Sequence, residues 1–207
     1  MSELKIYGIA KSRAIRNIWM AEELGVPYGH VKVGWTDGGT KKPEFLAINP
    51  NATVPAIEDG KLRLFESLAI NLYLAKKHGK GLYPATLEDE ARTWQWTLWA
   101  ATELEKLMVP FLQHTYVFPP EKRDARLAAD SLAALQKPLK VLDQALAKAP
   151  YLLGDKFTVA DLNVAGICLA VWTFKMDFSP WPNVKAWLER CFARPAAQKA
   201  IAIRAAA

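Results

Sequence analysis

Cysteine is scarce in this chain. Cys168 and Cys191 are the two among 207 residues. They cannot build a disulfide framework. With no Cys-x-x-Cys pair and no cysteine ahead of Cys168, dithiol redox chemistry has no residues to run on. Long apolar runs are lacking too. None reaches the roughly 20 residues that cross a bilayer, and the opening MSELKIYGIA carries early charge instead of a leader's apolar centre. His30, His78 and His114 are too scattered for a metal site, and no phosphate-binding glycine loop is present. Charge of one sign never forms a block. The 27 basic residues are dispersed among 21 acidic ones, no basic run exceeds two, and the formal charge is +6. That pattern predicts a solvated mixed surface rather than a nucleic-acid footprint, with a mild positive field that favours anionic ligands. The expectation is a soluble cytoplasmic protein with no metal, no nucleic-acid partner and no membrane partner.

Hydrophobic residues are plentiful, at 51%, enough for one large domain or two small ones. Leu4 to Tyr7 and Tyr28 to Val33 read as strands around a helix from Arg13 to Leu24, which Gly25 stops. One such unit makes its two strands parallel. Pro43 opens a short helix through Ile48, which Asn49-Pro50-Asn51 breaks. Ala56 to Glu58 and Lys61 to Phe65 flank Asp59-Gly60, a hairpin signal. Residues 79–86 read as a linker, and no strand pattern follows them. A long helix from Leu87 to Val117, bent near Pro110, is expected. One or two helices over 121–149 follow, with Pro138 as a candidate break, then a buried helix from Thr158 to Phe174 with Asp161 in a capping box. An amphipathic helix from Pro182 to Phe192 comes next, and the alanine-rich end reads as a frayed tail.

The densest signal lies at Val54-Pro55 and Glu66-Ser67. Ser67 suits the N-cap of an apolar helix from Leu68 to Lys77. A hydroxyl and backbone N–H groups at a helix start can hold a carboxylate, and Glu66 offers an anion to an ammonium group. An unpaired strand edge before Pro55 can pair with a peptide backbone. These parts read as a receptor for a small peptide with a free amino-acid end.

The run NPNATVPAIEDGKLRLFESLAINLYLA resembles the glutathione-binding half of cytosolic glutathione transferases, and SRAIRNIWMAEELGVPY resembles the first helix of their bacterial and fungal types. LLGDKFTVAD and WPNVKAWLERCFARPA resemble the family's helical half, so the resemblance spans nearly the whole chain. It implies an α/β thioredoxin-like domain at 1–78, a linker at 79–86 and an all-α helical-bundle domain at 87–207 that contributes the electrophile site. It also implies glutathione as co-substrate, a hydrophobic electrophile or peroxide as its target, a detoxification role and a homodimer.

A transferase of this kind must hold a bound thiol as thiolate near neutral pH. A free thiol titrates near pH 8.5, and lowering that by two units takes roughly 2.7 kcal/mol of differential stabilisation. A hydroxyl and a helix N-terminus can supply it. Ser12, just before the first helix, stands where the serine-type classes place their catalytic serine, and Tyr7 stands where the tyrosine-type classes place their tyrosine. Ser12 is equally a helix cap, Tyr7 equally a core aromatic, and the backbone is a third activator. The resemblance further assigns the Val54 backbone to the cysteinyl unit, a cis Pro55 beside it, and Glu66 and Ser67 to the γ-glutamyl end. It adds Thr53 to the glutathione contacts and leaves Arg13, Lys41 and Lys42 as candidates for the glycyl carboxylate. Trp99 and Tyr116 are the electrophile-site candidates, chosen from an aromatic stripe that also reads as core or dimer contact. Two rivals remain: a non-catalytic binding or assembly module of the same fold, and a reductase using a protein cysteine.

Overall fold

The computed structural model describes residues 3–207. Met1 and Ser2, which open the stretch read as lacking a leader, lie outside the described residues. The first elements are β1 (Leu4–Tyr7), α1 (Ala14–Leu24), β2 (Gly29–Val31), α2 (Pro43–Leu46), β3 (Ala56–Asp59), β4 (Leu62–Phe65) and α3 (Ser67–His78). The strands form one sheet in the order β2-β1-β3-β4. The α1 crossover makes β1 and β2 parallel, with Ile6 opposite His30, while β3 runs antiparallel to β1, with Ile6 opposite Ile57. This is the expected thioredoxin-like arrangement.

Side chains alternate across the sheet. Ile6 and Ile57 are fully buried on one face, and α1 and α3 pack on each other and on the sheet. On the other face Tyr7 and Ala56 form a cluster with Phe45, joined by Val31, Val33, Ile48 and Val54. The hairpin differs in one detail from its sequence reading. Asp59 pairs with Leu62 inside the ladder, so the two-residue loop is Gly60-Lys61, with Gly60 at φ 61°. Asp59 is thereby freed to accept from Tyr73 at 2.9 Å and Lys77 at 2.6 Å, which ties α3 to β3.

By contacts the chain divides into two units. One contains the described residues through Tyr83 together with Phe192–Ala207; the other is Pro84–Cys191. The carboxy-terminal segment therefore groups with the first unit, although 87–207 was expected to be one helical domain. It is also no frayed tail. Residues Pro195–Ala205 form a helix, α9, packed along α1. Opposite charges explain the docking: Arg194 makes a fork to Glu23 at 2.7 Å through both nitrogens, and Lys199 pairs with Glu22 at 2.7 Å. Phe192 also packs on Trp19 at 5.7 Å between ring centroids.

The second unit is helical. Turns run without interruption from α4 (Leu87–Trp99) through a π segment (Ala100–Glu105) and α5 (Lys106–Leu112) to a second π segment (Gln113–Val117). Wide π turns flank the α5 stretch that carries Pro110 and absorb the misfit expected there. The next helix, α6 (Ala125–Leu146), passes through Pro138 as one element, not two. It is followed by α7 (Val159–Thr173) and α8 (Pro182–Phe192). The capping box at Thr158 is present, and Asp161 reaches further than its own cap. Its carboxylate accepts from Thr158 N at 2.9 Å, Leu152 N at 2.9 Å and Trp187 Nε1 at 2.9 Å.

Candidate active site

The β1–α1 turn is built around Gly8. At φ 134° it occupies backbone space that side-chain-bearing residues avoid. A Cβ there would lie 2.8 Å from Ala14 Cβ, 3.0 Å from Val54 Cβ and 3.2 Å from Ser12 Oγ. Three segments thus converge on one glycine: the turn, the start of α1 and the segment before Pro55. Ser12 N donates to Ile9 O at 2.9 Å, and Gly8 N and Ile9 N donate to Val31 O and Val33 O.

Ser12 is buried, and its hydroxyl works within the turn. Oγ accepts from Ala14 N at 3.1 Å and donates to Ile9 O at 2.6 Å. The cap reading is therefore realised, although α1 takes Arg13, which is exposed, as its N-cap residue. A hydroxyl has one proton. Donation to a bound thiolate requires that O–H bond to rotate away from Ile9 O.

Tyr7 does not join Ser12. Its hydroxyl donates to Glu58 on β3, on the α2 face of the sheet. Burial, reinforced by that carboxylate, pushes the phenol up to about 12. Glu58 is held below its ordinary value, first by the Tyr7 hydrogen bond and then by Lys5 and Arg63. The structure places the Tyr7 hydroxyl on Glu58, apart from Ser12. Alternation along β1 turns its ring into the Phe45 cluster, and the core reading applies.

The Val54–Pro55 bond is cis. Asn49, buried, shapes the approach to it, donating through Nδ2 to Thr53 O at 2.7 Å and to Thr53 Oγ1 at 3.3 Å. Asn51 N returns a bond to Asn49 Oδ1 at 3.1 Å. Thr53 is exposed and Val54 partly so. Among the described residues, neither the N–H nor the C=O of Val54 has a hydrogen-bond partner, so this short edge is open for pairing.

The N-cap position read for Ser67 falls one residue earlier. Glu66 is the N-cap residue of α3, with φ 69° and ψ 107°, and Ser67 is the first helical residue. A glutamate at positive φ is strained by about 1–3 kcal/mol, the kind of local cost that collects at functional sites. Glu66 is exposed, whereas Ser67 is 4% exposed. Ser67 Oγ accepts from Arg16 Nη1 at 3.2 Å. Ser67 O accepts from Asn17 Nδ2 at 2.8 Å, and the same amide reaches Asn71 Oδ1 at 2.7 Å. Asn17 Oδ1 is buried with no hydrogen-bond partner.

Arg16, Asn17 and Asn71 were missed in the sequence. The signal for Arg16 and Asn17 was two adjacent polar residues interrupting the apolar AIRNIWMA, a pattern that a buried helix does not tolerate without partners. Arg16 lies four residues after Ser12, one helical turn on, so Ser12 and Ser67 are linked through α1.

Lys41 ends a 3-10 turn (Gly39–Lys41) and Lys42 is the N-cap residue of α2. Both are exposed. Lys42 borders a cavity of about 310 Å³ whose wall includes Tyr7, Asp37 and Phe45. Trp99 and Tyr116 belong to the second unit. The Trp99 ring meets Trp96 edge-on at 5.1 Å, and Tyr116 stacks on Phe174 at 5.1 Å with its edge to Phe111. Among the described residues no cluster of histidine, cysteine or carboxylates could hold a metal ion. Among the described residues no helix is long and apolar enough to cross a membrane.

The family models described as glutathione S-transferase, N-terminal domain, and glutathione S-transferase, C-terminal domain, match residues 2–76 and 101–195. Glutathione S-transferase 3 of Zea mays is 37% identical over 98% of this chain and 95% of its own. Glutathione S-transferase GstB of Escherichia coli strain K12 is 30% identical over 97% and 98%. The crystal structure of a theta class glutathione S-transferase from Xanthomonas axonopodis pv. citri, with glutathione bound, superposes with a TM-score of 0.91 at 32% identity, covering 97% of each chain.

Proposed function

The chain belongs to the glutathione S-transferase family and is an enzyme of glutathione transfer, and on that premise we propose that Ser12, Val54, Glu66 and Ser67 form its glutathione site, with Ser12 as the activating hydroxyl. The observation that carries this reading is the open Val54 edge held against Ser12 across Gly8. An extended peptide laid along that edge would exchange main-chain hydrogen bonds with Val54 N–H and C=O, as a cysteinyl unit can. Its sulfur would then lie beside Ser12 and the first turn of α1. The strained Glu66 and the Ser67 hydroxyl suit the ammonium and carboxylate of the γ-glutamyl end.

In the reaction, the thiol proton passes to solvent as the bound thiolate forms. The sulfur lone pair then attacks the electrophilic atom, a new bond to sulfur forms, and the leaving group departs with its bonding pair. The protein supplies proximity and stabilises the thiolate through the Ser12 hydroxyl, the α1 terminus and the positive field of Arg16. Residues 1–78 carry the glutathione site in this reading. Thr53 flanks the cysteinyl edge, and Arg13, Lys41 and Lys42 receive the glycyl carboxylate. Trp99 and Tyr116 offer flat apolar faces to the electrophile. A homodimer, a cytoplasmic setting and detoxification of hydrophobic electrophiles complete the proposal. Exposed Leu87, Trp94 and Leu98 on α4 support the dimer, and sedimentation at micromolar concentration checks it. A persistent 23 kDa monomer would remove it.

Thiolate absorbance against pH, read on the glutathione complex, tests the activator. Ser12→Ala is expected to raise the thiol pKa and slow conjugation while binding stays near wild type. Tyr7→Phe is expected to leave the thiol pKa in place. A rise confined to Tyr7→Phe would return the role to Tyr7, and no change in either would assign it to the backbone and helix terminus.

A further inference from the structure

We propose that Arg204, in the last turn of α9, is a positioning residue that holds the β1–α1 turn in register for Ser12. The inference rests on the reading of Ser12 as the activating hydroxyl. Arg204 Nη1 donates to Ala10 O at 3.2 Å. Ala10 is buried in the middle of the turn. The residues before it are pinned to β2, through Gly8 N to Val31 O and Ile9 N to Val33 O, and Ser12 N is tied back to Ile9 O. Ala10 O is the carbonyl between these anchors. Its partner comes from the far end of the chain, 194 positions away.

Two ion pairs fix the rest of α9, Arg194 to Glu23 and Lys199 to Glu22, both on the later turns of α1. Arg204 is the contact at the other end of that helix pair, where Ser12 sits. Among the described residues no carboxylate pairs with Arg204. It faces Arg16 instead, and burial together with that like charge lowers its pKa. Two guanidinium groups held near one another work against stability. They suit a place where an anion is to be held. Lys11 and Arg13, the other charged residues of the turn, are exposed.

Arg204→Met and Arg204→Ala each remove the donor, Met keeping the apolar stem in place, and urea unfolding confirms that the proteins tested are folded. The expected result is a thiol pKa of bound glutathione higher by about one unit, which from a starting value near 6.5 is a roughly threefold loss of thiolate at pH 7. Turnover on an aryl halide falls in parallel while the dissociation constant of glutathione, from calorimetry, stays within about twofold. Arg204→Lys, which can still donate to Ala10 O, restores most of the turnover, and Lys199→Ala changes neither quantity. In a Ser12→Ala background the loss of Arg204 adds nothing further. A raised pKa in Ser12→Ala with none in the Arg204 variants would overturn this inference and leave the Ser12 reading standing. An equal rise with and without Ser12 would also overturn it, since Arg204 would then act by charge alone. Weaker glutathione binding with an unmoved pKa would reduce Arg204 to a structural contact. No response to Ser12→Ala would remove the Ser12 reading and this inference with it.

Discussion

Two buried polar centres in this protein follow opposite rules. In the helical unit, Asp161 is fully buried and surrounded by donors: two backbone N–H groups, the Thr158 hydroxyl and the Trp187 indole. Burial raises its pKa, and each of those donors works in the other direction. In the α/β unit, the seam from Ser12 through Arg16 and Asn17 to Ser67 is buried too, but it is incomplete. Asn17 Oδ1 has no donor, Val54 keeps its N–H and C=O unpaired, and Glu66 holds an unfavourable φ. A saturated centre serves stability, because every lone pair is already used. An unsaturated one costs stability and leaves capacity for a ligand. The same kinds of atoms thus mark a structural hub in one unit and the proposed glutathione site in the other.

The harshest way to break this contrast is to open the closed centre. Asp161→Ala leaves four donors stranded and removes the α7 capping box, for an expected loss of about 3–5 kcal/mol. Urea unfolding measures it, and a loss under about 1 kcal/mol would deny that Asp161 is a hub. At the open centre the same kind of deletion shifts the damage to the ligand. Ser67→Ala is expected to weaken glutathione binding by about 1.5–3 kcal/mol, or roughly 10- to 150-fold, because a charge-assisted bond is lost. Calorimetry on Ser67→Ala and Glu66→Ala checks this, and unchanged affinity in both rejects the γ-glutamyl assignment.

Acid sharpens the comparison further. Burial works to raise the pKa of Asp59, yet Lys77 and Tyr73 together hold it below its ordinary value. The group therefore contributes stability that is fully present above the unfolded aspartate value, near pH 3.9, and is lost as pH falls through the lower folded value. Asp59→Asn should flatten that acid limb of a stability-against-pH curve, and an unchanged limb would show that the Lys77 pair carries no linkage. The smallest effect is expected at Cys168 and Cys191, both buried and free. Their joint change to alanine should preserve turnover per folded molecule, apart from packing losses. Abolished turnover in a folded double variant would favour a cysteine-dependent reaction.

The elements that were legible in advance rest on local patterns. Gly25 closes α1 in the left-handed region at φ 58°, Thr158 and Asp161 cap α7, and Val184, Trp187 and Leu188 line the buried side of α8. Each is a relation between residues within one or two turns, which a single sequence displays. What was misread involves the partner across space. Pro138, left open as a candidate break, sits within an unbroken α6, because the tertiary setting of a helix can outweigh a single lost N–H. The tail reads as frayed because its alanines and isoleucines carry no local partner, whereas α1 and the turn before it supply partners across space for Arg194, Lys199 and Arg204.

The candidate site shows the same division. Residue types and spacing pointed to the edge before Pro55 and to Glu66 and Ser67 as a peptide-receiving set, since caps and strand edges are local chemistry, while the role of Ser12 and the cis Pro55 came from the family resemblance. Only the tertiary structure separated Ser12 from Tyr7. A one-residue step along β1 turns a side chain to the opposite face of the sheet, and that step sends the Tyr7 hydroxyl to Glu58. Likewise only the fold joined Arg16 to Ser67 and Arg204 to Ala10, contacts across 51 and 194 positions. Sequence determines which polar groups a chain owns and the local geometry near each. Which of them meet, and which are left open for a ligand, depends on how distant elements pack, because a hydrogen bond acts over about 3 Å and has no memory of separation along the chain.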